Sequence, residues 1–314
     1  MSGPSFSPFI SSLSQFGLIR FAGDDAQAFL HAQLSCDVAA LTPGQSTYGA
    51  YCTPKGRALA SFLLWRSADG FFMQLPTSLR EPIQKQLTKF ILRSKVKVAD
   101  VTADFALIGV AGSNASTVVP KAAGLVPKTV RGVEHSNEMT VIRLEEERYE
   151  VVVPRDKAAG VLEALAAAAE KVDPASWDLL DIRAGIPVIT PATQEAFVPQ
   201  MVNLDVLGGV SFEKGCYPGQ EIVARMHYRG TLKQRMYLAH VEGTEQPQPG
   251  DKLYSPAFGE QSSGTIVNAA AAPDGGSDVL AVVQIAAGGT NSEVHWKNPA
   301  GPRLTFRTLP YSVS

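Results

Sequence analysis

The sequence predicts an α+β protein: two α+β units in succession, a helical segment, and an antiparallel β domain. Three observations predict it. Strand-like alternation and helical periodicity take turns through the first 172 residues or so. From about Thr231 the texture changes to glycine, proline and short alternating runs, as in a small barrel or sandwich. The chain has 314 residues, 45% of them hydrophobic, enough for more than one core. The segments expected are 1–104 and 105–172 (the two α+β units), 173–230, and 231–314 (the β domain).

Element by element, "MSGPSFSPFISSLSQ" reads as a loose arm and "GLIRFAG" as a strand. From Asp24, Ala26, Phe29, Leu30 and Leu34 recur on one helical face. "STYGAYCT" and "RALASFLLW" are strands around the turn "PKG", and "FFMQLP" is a third. Leu79, Ile83, Leu87, Phe90 and Ile91 mark a helix capped by Thr77 or Ser78, and "KVKVADV" closes the first unit as a strand. The second unit opens on "FALIGVAG", with a small-residue helix after Asn114. A hairpin "TVIRL"/"YEVVVP" around "EEER" follows, then an alanine-rich helix from Asp156 to about Val172. Both units resemble the split βαβ arrangement in element order, without a residue-level repeat. "DPASWDLLDIRAGIP" is a helix with Asp173 as cap, Pro174 in its first turn and Gly185 as stop.

Charge and motifs exclude several classes. Lys and Arg total 28 against 30 Asp and Glu, so no global charge points to nucleic acid or to an acidic partner. No apolar run reaches membrane-helix length, and the start lacks the pattern of a secretory signal. Three well-separated cysteines without a CxxC pair argue against a structural zinc site and against a disulfide scaffold. A reducing cytoplasm is the expected location, with no permanently bound metal. GxGxxG, P-loop, HExxH and GxSxG motifs are absent, and "GVAGSN" reads as a strand-to-helix turn.

The chemistry-bearing candidates cluster late. In "FEKGCYPGQE", Lys214 precedes Cys216 by two residues and a helix start follows. Positive charge and a helix N-terminus favour a thiolate, whereas a small residue in a tight turn is the plainer reading. The local residues leave both open. Arg225, His227, Arg229, Lys233 and Arg235 form a basic run suited to carboxylates or phosphates, or to a solvated strand edge. Trp177 is either core or a flat wall for a heterocycle.

The run "PQMVNLDVLGGVSFEKGCYPGQEIVARMHYRG" closely resembles the signature of the YgfZ family of folate-binding proteins, including its lysine–glycine–cysteine core. "FLHAQLSCDV", "PKGRALASF", "DIRAGIPVI" and "LPYS" resemble further family segments in the expected order. The family is similar in fold to the aminomethyltransferase (T-protein) of glycine cleavage. The resemblance therefore implies α+β units around a central opening that holds tetrahydrofolate, plus a small C-terminal β-barrel. It implies Cys216 as a reactive thiol with Lys214 beside it, and Trp177 at the pterin. It also implies a role in assembling or repairing iron–sulfur clusters, including those of tRNA-methylthiolating enzymes. The partners expected are folate and iron–sulfur client or assembly proteins, with no stable nucleic-acid binding and no membrane.

Three positions depart from the family pattern. Phe16 stands for a second tryptophan, and phenylalanine still stacks on a pterin. Arg183 stands for a glutamate and cannot accept hydrogen bonds. Pro218 replaces a threonine, which stiffens the turn. Arg225, Arg229 or Arg235 would meet the glutamyl tail. True aminomethyltransferases carry an acidic pair after the hairpin glycine, where this chain has Ala60 and Ser61. A methyl group cannot orient or accept a proton, so no glycine-cleavage activity is expected. The alternative function, folate-dependent one-carbon (aminomethyl) transfer, would have to use Asp181 or Glu221.

Overall fold

The computed structural model describes residues 6–136, 139–228, 230, 232–287 and 293–313. The strands are β1 (Phe9–Ser12), β2 (Phe16–Ala22), β3 (Ser46–Cys52), β4 (Ala58–Ser67), β5 (Gly70–Pro76), β6 (Lys97–Asp100), β7 (Phe105–Ala111), β8 (Val133–His135), β9 (Thr140–Glu145), β10 (Arg148–Pro154), β11 (Glu170–Val172), β12 (Gln234–Val241), β13 (Lys252–Tyr254), β14 (Ser262–Ala271), β15 (Ser277–Gln284), β16 (His295–Trp296) and β17 (Leu304–Arg307). The helices are α1 (Ala26–Gln33), α2 (Thr77–Thr88), α3 (Ala115–Ala123), α4 (Ala158–Ala166), α5 (Pro174–Arg183) and α6 (Gln220–Tyr228).

Two compact units form. The first takes Met1–Leu30, Val38–Thr47 and Leu63–Trp177; the second takes His31–Asp37, Tyr48–Phe62 and Asp178–Ser314. In the first unit a six-stranded sheet runs β11-β1-β7-β10-β9-β8. Its strands alternate, so Ile10, Ile108, Val110, Tyr149, Val151 and Val153 share one face and bury it under Val118 and Val119 of α3 and Val161 and Leu165 of α4. The opposite face carries Ser11, Gly109 and Glu150 in one row, because Gly109 pairs with both Ser11 and Glu150. That face meets a second set of strands in the same unit, the Leu63–Ser67 end of β4 with β5, β2 and β6. Gln74 of β5 bonds Glu150 of β10, and Phe72 stands edge-on to Phe105 at 5.8 Å.

In the second unit the sheet β16-β13-β14-β15-β12-β17 buries Val241, Leu253, Ile266, Val279, Val283 and Trp296. Its two outer strands meet: Leu304 N–H donates to Val294 at 2.8 Å and Trp296 N–H to Pro302 at 2.8 Å. The sheet thus curls back on itself and protects its edges.

Three sequence expectations need correction. The loose arm is ordered in part, since Phe9–Ser12 is β1, antiparallel to β7 and parallel to β11. The alanine-rich helix is shorter than expected. It is α4 alone, after a 3₁₀ turn at Arg155–Lys157, and Glu170–Val172 is drawn off as a strand by pairing with β1. Neither Thr77 nor Ser78 caps α2; Pro76 holds the N-cap position and the Thr77 hydroxyl donates to the Ser14 carbonyl at 3.3 Å. Among the described residues, no helix is long and apolar enough to cross a membrane.

Candidate functional site

The Lys214–Gly219 turn is held from below by two buried side chains. Lys214 is 8% exposed, and its ammonium donates to the carbonyls of His31, Leu34 (2.6 Å) and Cys36 (3.0 Å). α1 ends at Gln33, so the His31 carbonyl lies in its last turn, and the lysine donates there and to two carbonyls of the segment that follows. Tyr217 is also buried, with its ring centre 5.0 Å from the Lys214 ammonium. Between these anchors Gly215 and Cys216 are exposed. Ser35, wholly buried, fastens the approach to the turn. Its hydroxyl donates to Gly209 at 2.6 Å, and its carbonyl accepts from Ser211 N–H at 2.9 Å.

Behind the turn, Gly219 sits at φ +83, and a Cβ there would lie 2.5 Å from the Thr53 carbonyl and 2.6 Å from Gly56. Only glycine allows that approach to the β3–β4 hairpin turn. α6 then starts at Gln220, whose side chain donates back to the Lys214 carbonyl at 3.3 Å.

The three cysteines divide sharply. Burial pushes the thiols of Cys36 and Cys52 up to about 12, so both stay protonated and enclosed. Cys216 is the one free cysteine that is exposed. Burial also lowers the Lys214 ammonium to about 8, with Cys36 and Asp37 pulling it partly back. The lysine's hydrogen bonds run to main-chain carbonyls, which makes it the anchor of the thiol turn.

Most of the basic run has local partners. Arg225 pairs with Glu221 one helical turn back at 2.7 Å, both exposed. Arg235 grips Asp205 with two bonds of 2.7 and 3.0 Å and donates to the Gln200 carbonyl. His227 stacks on Phe212 with ring centres 3.8 Å apart, Tyr228 stands edge-on beside them, and Lys233 is exposed. Arg229 lies outside the described residues.

In the first unit Trp177 is 1% exposed. Its indole lies against Gly109, where a Cβ would come within 2.4 Å of the ring, and the Arg148 guanidinium is 4.2 Å from the ring centre. Phe16 instead lines a cleft of about 210 Å³ with Ser12, Thr102, Phe105, Arg155 and Leu162, and Trp177 is not among its walls. Sequence reasoning missed three buried polar residues of this unit, of which Arg148 lies against Trp177. Arg148 and Glu150 are almost wholly buried, and Gln74 Nε2 donates to Glu150 Oε2 at 3.1 Å. The signal was the alternation in "RYEVVVP", which sets Arg148 and Glu150 on the face opposite Tyr149, Val151 and Val153. Ser11 Oγ and Gln74 Oε1 are buried and make no hydrogen bond.

Ala60 and Ser61, where the resemblance placed the acidic pair of the transferases, are both occupied in packing. Ala60 is fully buried, while the Ser61 hydroxyl donates to Pro187 at 2.8 Å and accepts from Ile189 N–H at 2.9 Å. Asp181 is buried on α5, and Glu221 is engaged with Arg225.

Comparison with known proteins follows the same lines. The family described as the GCVT N-terminal domain matches residues 9–176. The tRNA-modifying protein YgfZ of Colwellia psychrerythraea is 30% identical over 307 residues, covering 97% of this chain and 94% of its own. The tRNA-modifying protein YgfZ of Yersinia pseudotuberculosis serotype IB (strain PB1/+) is 33% identical over 309 residues, 96% of this chain and 92% of its own. Among solved structures, the glycine cleavage system aminomethyltransferase T from Bartonella henselae superposes with a TM-score of 0.79 at 19% identity, covering 98% of this chain and 87% of that one. At that identity the likeness is one of fold.

Proposed function

This chain belongs to the YgfZ family, and on that premise we propose that it is a tetrahydrofolate-binding factor for the assembly or repair of iron–sulfur clusters. The tRNA-methylthiolating enzymes would be among its clients, and Cys216 would be its working thiol. One observation carries the reading. Of three cysteines, two are enclosed with thiols near 12, and the third is displayed between two buried anchors. A soft sulfur donor displayed in this way suits contact with a partner's cluster or cysteine. The relatives named above as tRNA-modifying proteins support the tRNA connection.

The residues of the first unit fit a folate in kind. A pterin needs acceptors for its ring N–H groups and aromatic surface, and Glu150, Gln74 and Trp177 are of those kinds. The chain's own contribution is to bind and orient; when present, the folate would supply one-carbon or reducing chemistry. Ala60 and Ser61 leave no carboxylate at the position the transferases use, so aminomethyl transfer gains no support.

The experiment is complementation of a deletion strain, reading methylthiolated tRNA. Wild-type protein restores the modification, and Cys216→Ala at equal abundance does not. Full restoration by Cys216→Ala overturns the thiol role.

A further inference from the structure

Cys216 has a lysine two residues before it, yet that lysine is engaged elsewhere, on the carbonyls of His31, Leu34 and Cys36. Those bonds tie the thiol turn to the end of α1 and the segment after it. Ser211 N–H, donating to the Ser35 carbonyl at 2.9 Å, ties the two a second time. All of these residues belong to the second unit. One consequence is that an imidazole is held against the turn. A Cβ built on Gly215 would lie 4.0 Å from His31 Nε2. Cys216 follows at once, its Cα about 3.8 Å further on. The glycine before it has no side chain to stand between thiol and imidazole.

The other ring nitrogen faces a carboxylate. His31 Nδ1 is 3.4 Å from Asp37 Oδ1, and the two side chains are 23% and 40% exposed. A carboxylate at Nδ1 assigns the ring proton to that nitrogen, so Nε2, on the side of the turn, carries the lone pair. Burial and then the charge of Lys214 hold His31 below its ordinary value, and Asp37 pulls it partly back. The imidazole is therefore a neutral base near pH 7. Thiol, imidazole and carboxylate thus follow in the order nucleophile, base and orienting group.

We propose that His31, oriented by Asp37, is the proton acceptor that activates Cys216. The inference rests on Cys216 as the working thiol and deepens that reading. As Sγ attacks a sulfur of a partner's disulfide, its proton passes to His31 Nε2. The new S–S bond forms, the old one breaks, and the departing sulfur takes the proton back from the imidazole. Lys214 then fixes the turn, and His31 supplies the base that the lysine does not.

The test is the rate at which iodoacetamide, a neutral electrophile that loses iodide to the attacking sulfur, alkylates Cys216 between about pH 5 and 9.5. Wild-type protein should accelerate in two steps. The first accompanies loss of the imidazolium proton below about pH 6.5, and the second accompanies ionisation of the thiol itself at higher pH. His31→Gln keeps the main-chain carbonyl that Lys214 uses. It should lack the first step, react at least tenfold more slowly at pH 7, and converge with wild type at the alkaline end. Asp37→Asn should move the first step to lower pH, because the carboxylate raises the imidazole. A loosened turn would change the rate at every pH without removing a step. A single-step wild-type profile, or a His31→Gln profile that traces wild type, overturns the assignment. If His31→Gln loses its native circular dichroism, the wild-type profile and Asp37→Asn decide. Complementation by Cys216→Ala tests the underlying reading separately: rescue would remove the thiol's cellular role while a two-step profile still assigned the base.

Discussion

Arg183 Nε donates to Asp278 Oδ2 at 2.8 Å, and this contact explains an arginine where related chains are expected to carry glutamate. Asp278 is wholly buried at the start of β15 and also accepts from His240 Nδ1 at 2.8 Å and Arg307 at 3.0 Å. Burial pushes its carboxyl up, but the hydrogen bonds from His240 and Arg183 and the charges of Arg183 and Arg307 outweigh that and hold it below the usual range. Within the second unit the cluster fastens the Arg183 end of α5 to the curled sheet. Glutamate at position 183 would set a second carboxylate against Asp278. Arg183→Glu is expected to destabilise by about 2 kcal/mol, discounted from the fully buried case because the arginine is partly solvated. Urea unfolding measures it.

The same carboxyl sets an acid dependence. A depressed folded-state value means that the unfolded chain takes up the proton first as pH falls. The stabilisation by Asp278 is then complete above the ordinary carboxylate value, near 4, and is lost as pH drops through the lower folded value. Asp278→Asn should therefore be less stable than wild type at pH 7, and the gap should close below about pH 4. Urea midpoints at pH 7, 4 and 3 check it, and a gap that stays constant would rule the explanation out.

Lys214 gives a slope of the same sign in the alkaline range. Its ammonium is lowered to about 8 from an ordinary 10.5. Below about pH 8 both folded and unfolded chains hold the proton. Between about 8 and 10.5 only the unfolded chain does, so native stability should rise with pH relative to Lys214→Met, by at most about 1.4 kcal/mol per pH unit. Denaturation of the two proteins at pH 7.5, 8.5 and 9.5 reads the slope. At pH 7.5 the methionine variant should be the less stable, because three carbonyls lose their donor.

Gly219→Ala combines two costs. The left-handed φ of +83 disfavours any side chain by about 1–2 kcal/mol, and the new methyl would meet the Thr53 carbonyl and Gly56 backbone. The expected outcome is lower thermal stability together with weakened complementation, since the hairpin contact behind Cys216 must open. Gly243→Ala, also at positive φ but with nothing near its Cβ, should keep complementation intact.

What could be read from the chain was mostly local. Asp173 does cap α5, accepting from Ala175 N–H at 2.9 Å, and Gly185 ends that segment at φ +70. The thiol turn was visible because Lys214, Cys216 and Gly219 are contiguous. β1 was not visible, because "FISS" in a serine- and proline-rich arm has little strand signal of its own and is ordered by partners near residues 110 and 171. Those same long-range pairings cut short the alanine-rich helix, overriding its propensity. Gln74 and Glu150 are 76 residues apart and meet only when two strand layers pack, so neither looked chemical alone. Lys214 shows the reverse case: adjacency in sequence pointed to Cys216, whereas the folded lysine bonds the carbonyls around Leu34.

Differential thiol labelling tests the displayed cysteine directly. Cys36 and Cys52 are at most 2% exposed, with thiols near 12, so at pH 7.5 they should react with a disulfide reagent only as fast as the structure opens. Cys216, exposed on its turn, should react at once. Native wild-type protein should thus release one equivalent of thiol rapidly, Cys216→Ser none, and the denatured chain three. Two rapid equivalents in the native state would mean that the enclosure of Cys36 or Cys52 is breached. With one equivalent, brief alkylation of the native protein caps Cys216 while the whole sequence stays in place. The capped protein then separates loss of the thiol from loss of fold: failure to support cluster repair with unchanged thermal stability would assign the role to the sulfur itself.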